Sequence, residues 1–272
     1  MTDKAFGFAV MGMPEDGQQW LGLARRAEDL GYSALLMADN LRTPSPLPAL
    51  ALAAGATTTL RVGTFVLASP LHPPRLAAWD AHTLSLLSGG RFDFGIGTGL
   101  PSVADDAVRL LGAPPLPPAG RLAQVEQTID ELRTLDGDAH TPVLIAAGGP
   151  KARALAAAKA DRVTAAGGPL ATREQIAGLV AEVREQAGDR GDDLEFATSI
   201  FVIGDDAPPW VEQFVGADAK TLIEHESLSI LRGTPQEMAD ELRRRRETLG
   251  ISYFTVNAAF IDQFAPVIKL LA

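Results

Sequence analysis

The sequence contains no cysteine among its 272 residues. That excludes a disulfide framework, a thiol nucleophile and a thiolate metal site. Basic charge is also scarce. Against 34 aspartates and glutamates stand only 24 lysines and arginines, giving a formal net charge of -10 and a sequence pI of about 4.9. Such a balance argues against nucleic acid and against an anionic membrane surface as partners. No uninterrupted apolar run reaches the ~18 residues of a membrane span. The start, Met1-Thr2-Asp3-Lys4, leads straight into apolar Ala5-Phe6-Gly7-Phe8, with no charged leader and cleavage site. The expected location is the cytoplasm.

What is present is an ordinary globular balance, 46% apolar and 21% charged. A chain of this size buries roughly three quarters of its unfolded surface. It is also near the ~250 residues of one α/β barrel. Strand-like runs are expected at Ala5–Gly12, Ser33–Ala38, Arg61–Leu67, Arg91–Ile96, Val143–Ala147, Arg162–Ala166, Glu195–Ile203 and Tyr253–Ala258. Helical periodicities are expected between them, the later ones at Pro209–His225, Pro235–Leu249 and Asp262–Leu271. About eight alternations without a break in composition read as a single domain, residues 1–272, of class α/β: a (β/α)8 barrel with a parallel sheet. Its active site then belongs at the strand C-terminal ends.

The stretch Val143-Leu144-Ile145-Ala146-Ala147-Gly148-Gly149-Pro150-Lys151 stands out. Five apolar residues read as a buried strand, two glycines break it, and Pro150 suits the first position of a helix. Backbone N–H groups at such a helix start, and the helix dipole, favour an anion such as phosphate. The same pattern also serves as a plain strand-to-helix turn. A second glycine pattern, Gly95-Ile96-Gly97-Thr98-Gly99, partly matches a dinucleotide-binding turn, but Leu100 stands where that motif needs glycine.

Four stretches carry a resemblance. They are Leu23–Asn40 (LARRAEDLGYSALLMADN), Arg61–Gly99 with its LSGGRFDFGIGTG segment, the VLIAAGGPKARAL turn, and the C-terminal GTPQEMADELRRRRETLGISYFTVN. Together they are similar to luciferase-like flavin and deazaflavin oxidoreductases, in the manner of the coenzyme F420-dependent branch. The resemblance implies a TIM barrel that binds F420, or alternatively FMN, at the strand C-terminal ends. It implies a phosphate site on Ala146, Ala147, Gly148, Gly149 and Pro150. It implies a non-prolyl cis peptide at a bulge near Phe65-Val66, behind the cofactor ring, with Thr98 and Gly99 lining the ring and its side chain and Asp39 beside it. A small-molecule substrate and a homodimer are implied as well.

The chain departs from the family pattern in three places. Asn40 stands where many F420-dependent members have histidine, and Leu100 where several sugar-phosphate-oxidising members have glutamate. A sugar-phosphate dehydrogenase is therefore not expected. Only Asp136–Pro142 precedes the fifth strand, where most relatives carry a long insertion, so an open pocket is expected, with Pro114–Pro118 as a stiff partial lid. Asn40, at the catalytic position, can donate a hydrogen bond but not a proton, which leaves His72, after the third strand, as the remaining titratable candidate, although an exposed loop histidine reads the same way. Asp39 reads as catalytic or as a helix cap. Met11 and Met13 read as pocket lining or apolar packing, the latter preferred. Arg243–Arg246 read as a solvated, dipole-matched helix face. The expected function is an F420-dependent oxidoreductase moving hydride to or from a small organic substrate. Its alternatives are an FMN-dependent monooxygenase and a non-catalytic flavin-binding protein.

Overall fold

The structure is a computed structural model that describes residues 4–208 and 210–272, without the side chains of Trp210, Gln213 and Phe214. The readings placed on Met1–Asp3 and on Pro209 lie outside the described residues. The strands are β1 (Gly7–Met11), β2 (Ala34–Met37), β3 (Arg61–Thr64), β4 (Leu67–Ala68), β5 (Phe92–Gly97), β6 (Val143–Ala147), β7 (Arg162–Ala165), β8 (Glu195–Ile200), β9 (Val202–Ile203), β10 (Ile230–Leu231) and β11 (Ile251–Asn257). The helices are α1 (Gly17–Asp29), α2 (Pro46–Gly55), α3 (Pro74–Leu87), α4 (Pro101–Leu111), α5 (Pro118–Asp136), α6 (Pro150–Lys159), α7 (Arg173–Ala187), α8 (Trp210–Val215), α9 (Ala219–Glu224), α10 (Pro235–Leu249) and α11 (Ile261–Leu271). Proline opens α2 to α6 and α10, where its missing N–H has no partner to lose. The prolines therefore punctuate the alternation rather than break it.

All strand pairings are parallel, and the main sheet runs β3-β2-β1-β11-β8-β7-β6-β5-β4. A further pairing of β3 with β5 closes it. β3 and β4 share one barrel position, interrupted by Phe65 and Val66, whose peptide bond is cis. Eight positions result. Side chains alternate by the strand period of two. Phe8, Val10, Phe94, Ile96, Val163, Phe196 and Phe254 face the helices in the large core. Ala9, Ala34, Leu36, Ala197 and Tyr253 form a separate cluster inside the barrel, with Met11 and Phe65 against it.

The strand N-terminal ends are closed by charge. Arg61 pairs with Asp93 at 2.6 Å, and Arg162 pairs with Glu195 at 2.6 Å and with Asp93 at 3.4 Å. The Arg162 guanidinium lies 3.7 Å over the Tyr253 ring. This cluster of paired charge lies across the strand N-terminal ends.

Several expectations change. The run Glu195–Ile203 divides at Phe201: β8 stays in the barrel, and β9 leaves it to pair with β10. Pro209–His225 is not one helix, because Gly216, at φ 80°, separates α8 from α9. These elements have their own small core of Val202, Val211, Ala217, Leu222 and Ile230. Arg245 anchors them. It is 2% exposed and donates to Leu228 O at 2.7 Å, Ile230 O at 3.1 Å and Glu241 Oε1 at 2.8 Å. So Arg243–Arg246 is not a solvated face throughout, and Arg246 lies 4.2 Å over the Phe6 ring. The connection before β6 is short, as expected, but it enters the strand at its N-terminal end. Its length does not bear on cover over the opposite face.

Glu28 ties α1 to the turn before β3. Its Oε1 accepts from the amides of Thr58, Thr59 and Leu60 and from the Thr59 hydroxyl. These bonds, the Thr59 amide foremost, lower its pKa from 4.5 to about 2. A depressed carboxylate contributes stability above its unfolded pKa and loses it as pH falls through the folded value. Glu28→Gln should therefore cost on the order of 1 kcal/mol at pH 7, after solvent screening. The difference from wild type should shrink as pH drops from about 4.5 toward 2. Urea denaturation across that range checks both the size and the direction.

Candidate active site

The strand C-terminal ends gather most of the residues singled out from the sequence. The bulge at Phe65-Val66 is possible because β5 presents glycine to it. A Cβ on Gly95 would lie 2.0 Å from Thr64 O, and one on Gly97 would lie 2.9 Å from Val66 Cγ2. The Gly95–Gly99 pattern thus serves strand approach, and the dinucleotide reading falls. The Gly97 position is also 3.6 Å from Ala146 Cβ, and Gly99 faces Ala68 Cβ at 3.4 Å. Val66, Gly97 and Ala146 therefore adjoin one another, as do Ala68 and Gly99.

Asp39 joins this arc from β2. Its Oδ2 accepts from Ala68 N at 2.9 Å and lies 2.8 Å from His72 Nε2. The Asp39 side chain is 5% exposed and that of His72 is 22% exposed. The capping reading of Asp39 is overturned: Ser45 is the N-cap of α2, and it makes no side-chain cap bond. The loop-histidine reading is overturned too, because His72 is part-buried against a carboxylate. With Nε2 directed at Asp39, Nδ1 is the atom left to take or give a proton. Asn40 is partly spent: its Oδ1 accepts from Arg42 N at 2.9 Å and closes a local turn. Its amide cannot titrate near neutral pH.

The turn after β6 has a different character. Gly149 is the N-cap of α6, at φ -99°. Gly148, Gly149 and Pro150 are exposed. A Cβ on Gly149 would meet nothing within 4 Å, and one on Gly148 would only touch Ala166 O at 3.7 Å. Neither fold nor backbone dihedral demands glycine here, so the space is free for a ligand against the α6 N–H groups. Two side chains beside it escaped the sequence reading. Lys151 is exposed in the first turn of α6, against the helix dipole, and no carboxylate pairs with it among the described residues. A cation so placed was the readable signal. Thr164, the register partner of Ala146, buries a hydroxyl without a partner among the described residues.

The mouth carries exposed apolar groups from four loops: Met13 (52%), Leu41, Leu100 (70%) and Leu170. Met11 packs on the inner cluster, but the packing reading fails for Met13. No cluster of three or more metal-ligating side chains occurs among the described residues. None of their helices is long and apolar enough to cross a membrane.

Comparisons with known proteins agree with the barrel fold. The family profile described as luciferase-like monooxygenase matches residues 6–213. An uncharacterised protein of Mycobacterium tuberculosis is 29% identical over 211 residues, covering 62% of this chain and 72% of its own. Among solved structures, an F420-dependent secondary alcohol dehydrogenase in complex with an F420-acetone adduct superposes with a TM-score of 0.79 at 18% identity, over 99% of this chain and 100% of its own. EDTA monooxygenase from a Chelativorans species superposes with a TM-score of 0.76 at 15% identity, over 98% and 94%.

The two glycine sites predict opposite outcomes. Gly95→Ala should destabilise the chain by more than about 2 kcal/mol, because its Cβ meets a backbone oxygen. Gly149→Ala should stay within about 1 kcal/mol of wild type. Thermal and urea unfolding of the pair checks the contrast.

Proposed function

The chain belongs to the luciferase-like monooxygenase family, and from that premise we propose that it is a coenzyme F420-dependent oxidoreductase acting on a small, neutral, partly apolar substrate. The observation that carries the reading is the open Gly148–Gly149 turn at the start of α6, on the same barrel end as the Asp39–His72 pair. Full coverage of the F420-dependent alcohol dehydrogenase structure supports it. The phosphate of the cofactor fits the α6 N–H groups with Lys151 beside it, and Ala146 and Ala147 lead into that turn. Val66 and the Phe65–Val66 bulge would back the ring, and Thr98 and Gly99 would line it. Bound there, the deazaflavin supplies or accepts a hydride.

The chain's own part is binding, orientation and proton management. Asp39 holds His72 by Nε2, so Nδ1 serves as proton donor when His72 is charged and as acceptor when it is neutral. Met13, Leu41, Leu100 and Leu170 offer apolar surface to the substrate and exclude water. This arrangement disfavours a purely non-catalytic flavin binder. A second reading, an FMN-dependent monooxygenase, draws on 4-hydroxyprotoasukamycin monooxygenase of Streptomyces nodosus, 34% identical over 121 residues but with only 32% of its length covered. The apolar faces of Leu76, Trp79, Leu86 and Leu87 on α3 suit a homodimer contact, and a cytoplasmic location fits the chemistry.

Titration with F420 and FMN separately tests the reading. Tighter binding of F420 is expected. Preference for FMN with oxygen consumption would turn the assignment to the second reading. Gly149→Asp should weaken whichever cofactor binds by at least ~10-fold while circular dichroism stays unchanged. His72→Gln should lower kcat at least ~10-fold with cofactor affinity held. Full rate in the variant would assign the proton to water.

A further inference from the structure

Arg121 lies outside the barrel, in the first turn of α5, yet it bonds to two neighbouring strand ends. Its Nη1 donates to Thr98 O at 3.3 Å, in the loop after β5. Its own carbonyl accepts from Ser69 Oγ at 3.1 Å, and Ser69 is a buried residue following β4. Ser69 begins the turn that ends at His72. One residue thus bridges the segment carrying His72 and the segment carrying Thr98 and Gly99.

The guanidinium is not part of an ion pair. No carboxylate lies within pairing distance among the described residues, unlike Arg42 and Arg109, which share Asp106. Arg121 is half-buried, and a buried N–H without an acceptor is costly, so its Nε needs other support. Among the described residues its Nε is buried without an acceptor, and one turn along α5 Gln124 Oε1 is buried without a donor. Both residues line the same cavity of about 50 Å³, bounded also by Pro70, Ala104, Ala107 and Leu116. One water needs roughly 10–15 Å³ of such space and two to four polar partners. Arg121 and Gln124 are the two polar residues of this lining, so a water between Nε and Oε1 would have the two partners that condition asks for.

We propose that Arg121 is a positioning residue for the Thr98–Gly99 turn, and that the cavity beside it is a hydration site of one or two waters that joins Arg121 Nε to Gln124 Oε1. The waters satisfy the guanidinium on one side, and Thr98 O receives it on the other. The turn is then fixed at the position proposed to line the cofactor ring. The step from turn to cofactor rests on the functional reading above, whereas the hold on the turn does not.

The test uses Arg121→Ala, Arg121→Lys and Gln124→Leu in the full chain. Hydrogen exchange, read without cofactor, should rise at the amides of Thr98–Leu100 in Arg121→Ala and remain near wild type in α7 and α10. Whichever of FMN or F420 binds wild type should bind Arg121→Ala at least ~10-fold more weakly, with a shifted visible band that reports a displaced ring. Guanidinium chloride at about 10 mM, too dilute to denature, should restore affinity by refilling the cavity. Gln124→Leu should act in the same direction by a smaller factor, and Arg121→Lys should fall between wild type and Arg121→Ala. Unchanged exchange at Thr98–Leu100 would overturn the proposal. So would a loss of affinity without a band shift, accompanied by global destabilisation and no rescue. If wild type binds neither cofactor, the functional reading falls, while the exchange measurement still decides the role of Arg121. Should Arg121→Ala fail to fold, Arg121→Lys carries the same comparison.

Discussion

A single carboxylate oxygen, Oδ2 of Asp39, holds the open end of this barrel in register. It takes the Ala68 amide, which resumes strand pairing after the interruption at Phe65 and Val66, and it takes Nε2 of His72. The interruption requires room, and β5 gives it with Gly95 and Gly97. Ala146 and the glycine turn then stand on the far side of that room. The strand that bends, the strand that yields and the turn that stays empty are consequences of one local geometry. Burial of Asp39 makes the arrangement costly to disturb, because an unpartnered buried carboxylate is strongly disfavoured.

The two ends of the barrel divide the work. At the N-terminal ends, Arg61, Asp93, Arg162 and Glu195 neutralise one another and close the lumen. At the C-terminal ends the Asp39–His72 pair and Lys151 stand among small residues, hydroxyls and exposed apolar side chains. The short elements β9, α8, α9 and β10 sit between these duties. Arg245 pins them from α10 through two carbonyls.

Much of this was legible in the sequence. Short apolar runs between turn signals marked the strands, and Pro150 marked the start of α6. The bulge was read through a resemblance, whereas the phosphate turn was read from its apolar run, two glycines and Pro150, with a plain strand-to-helix turn as the alternative that the resemblance then disfavoured. The Asp39–His72 contact was not legible, because it joins residues 33 positions apart through the closing of the sheet. Two-residue strands such as β9 and β10 carry too short a pattern to register. Arg245 sat in a run of four arginines, and nothing in that run marks which one turns inward. Lys151 was different: a cation at a helix start is an anomaly that the sequence does display.

The central claim is that a phosphate-bearing cofactor rests on the Gly148–Gly149 turn, within the same site as His72. Amide chemical shifts of isotope-labelled protein, followed during titration with F420 and with a deazaflavin lacking the phosphate, address it directly. The account predicts that the Gly149 and Lys151 amides move strongly with F420 and scarcely with the phosphate-free ring, while Val66 and Gly97 respond to both. Binding that leaves Gly149 and Lys151 unmoved and shifts residues elsewhere would contradict it.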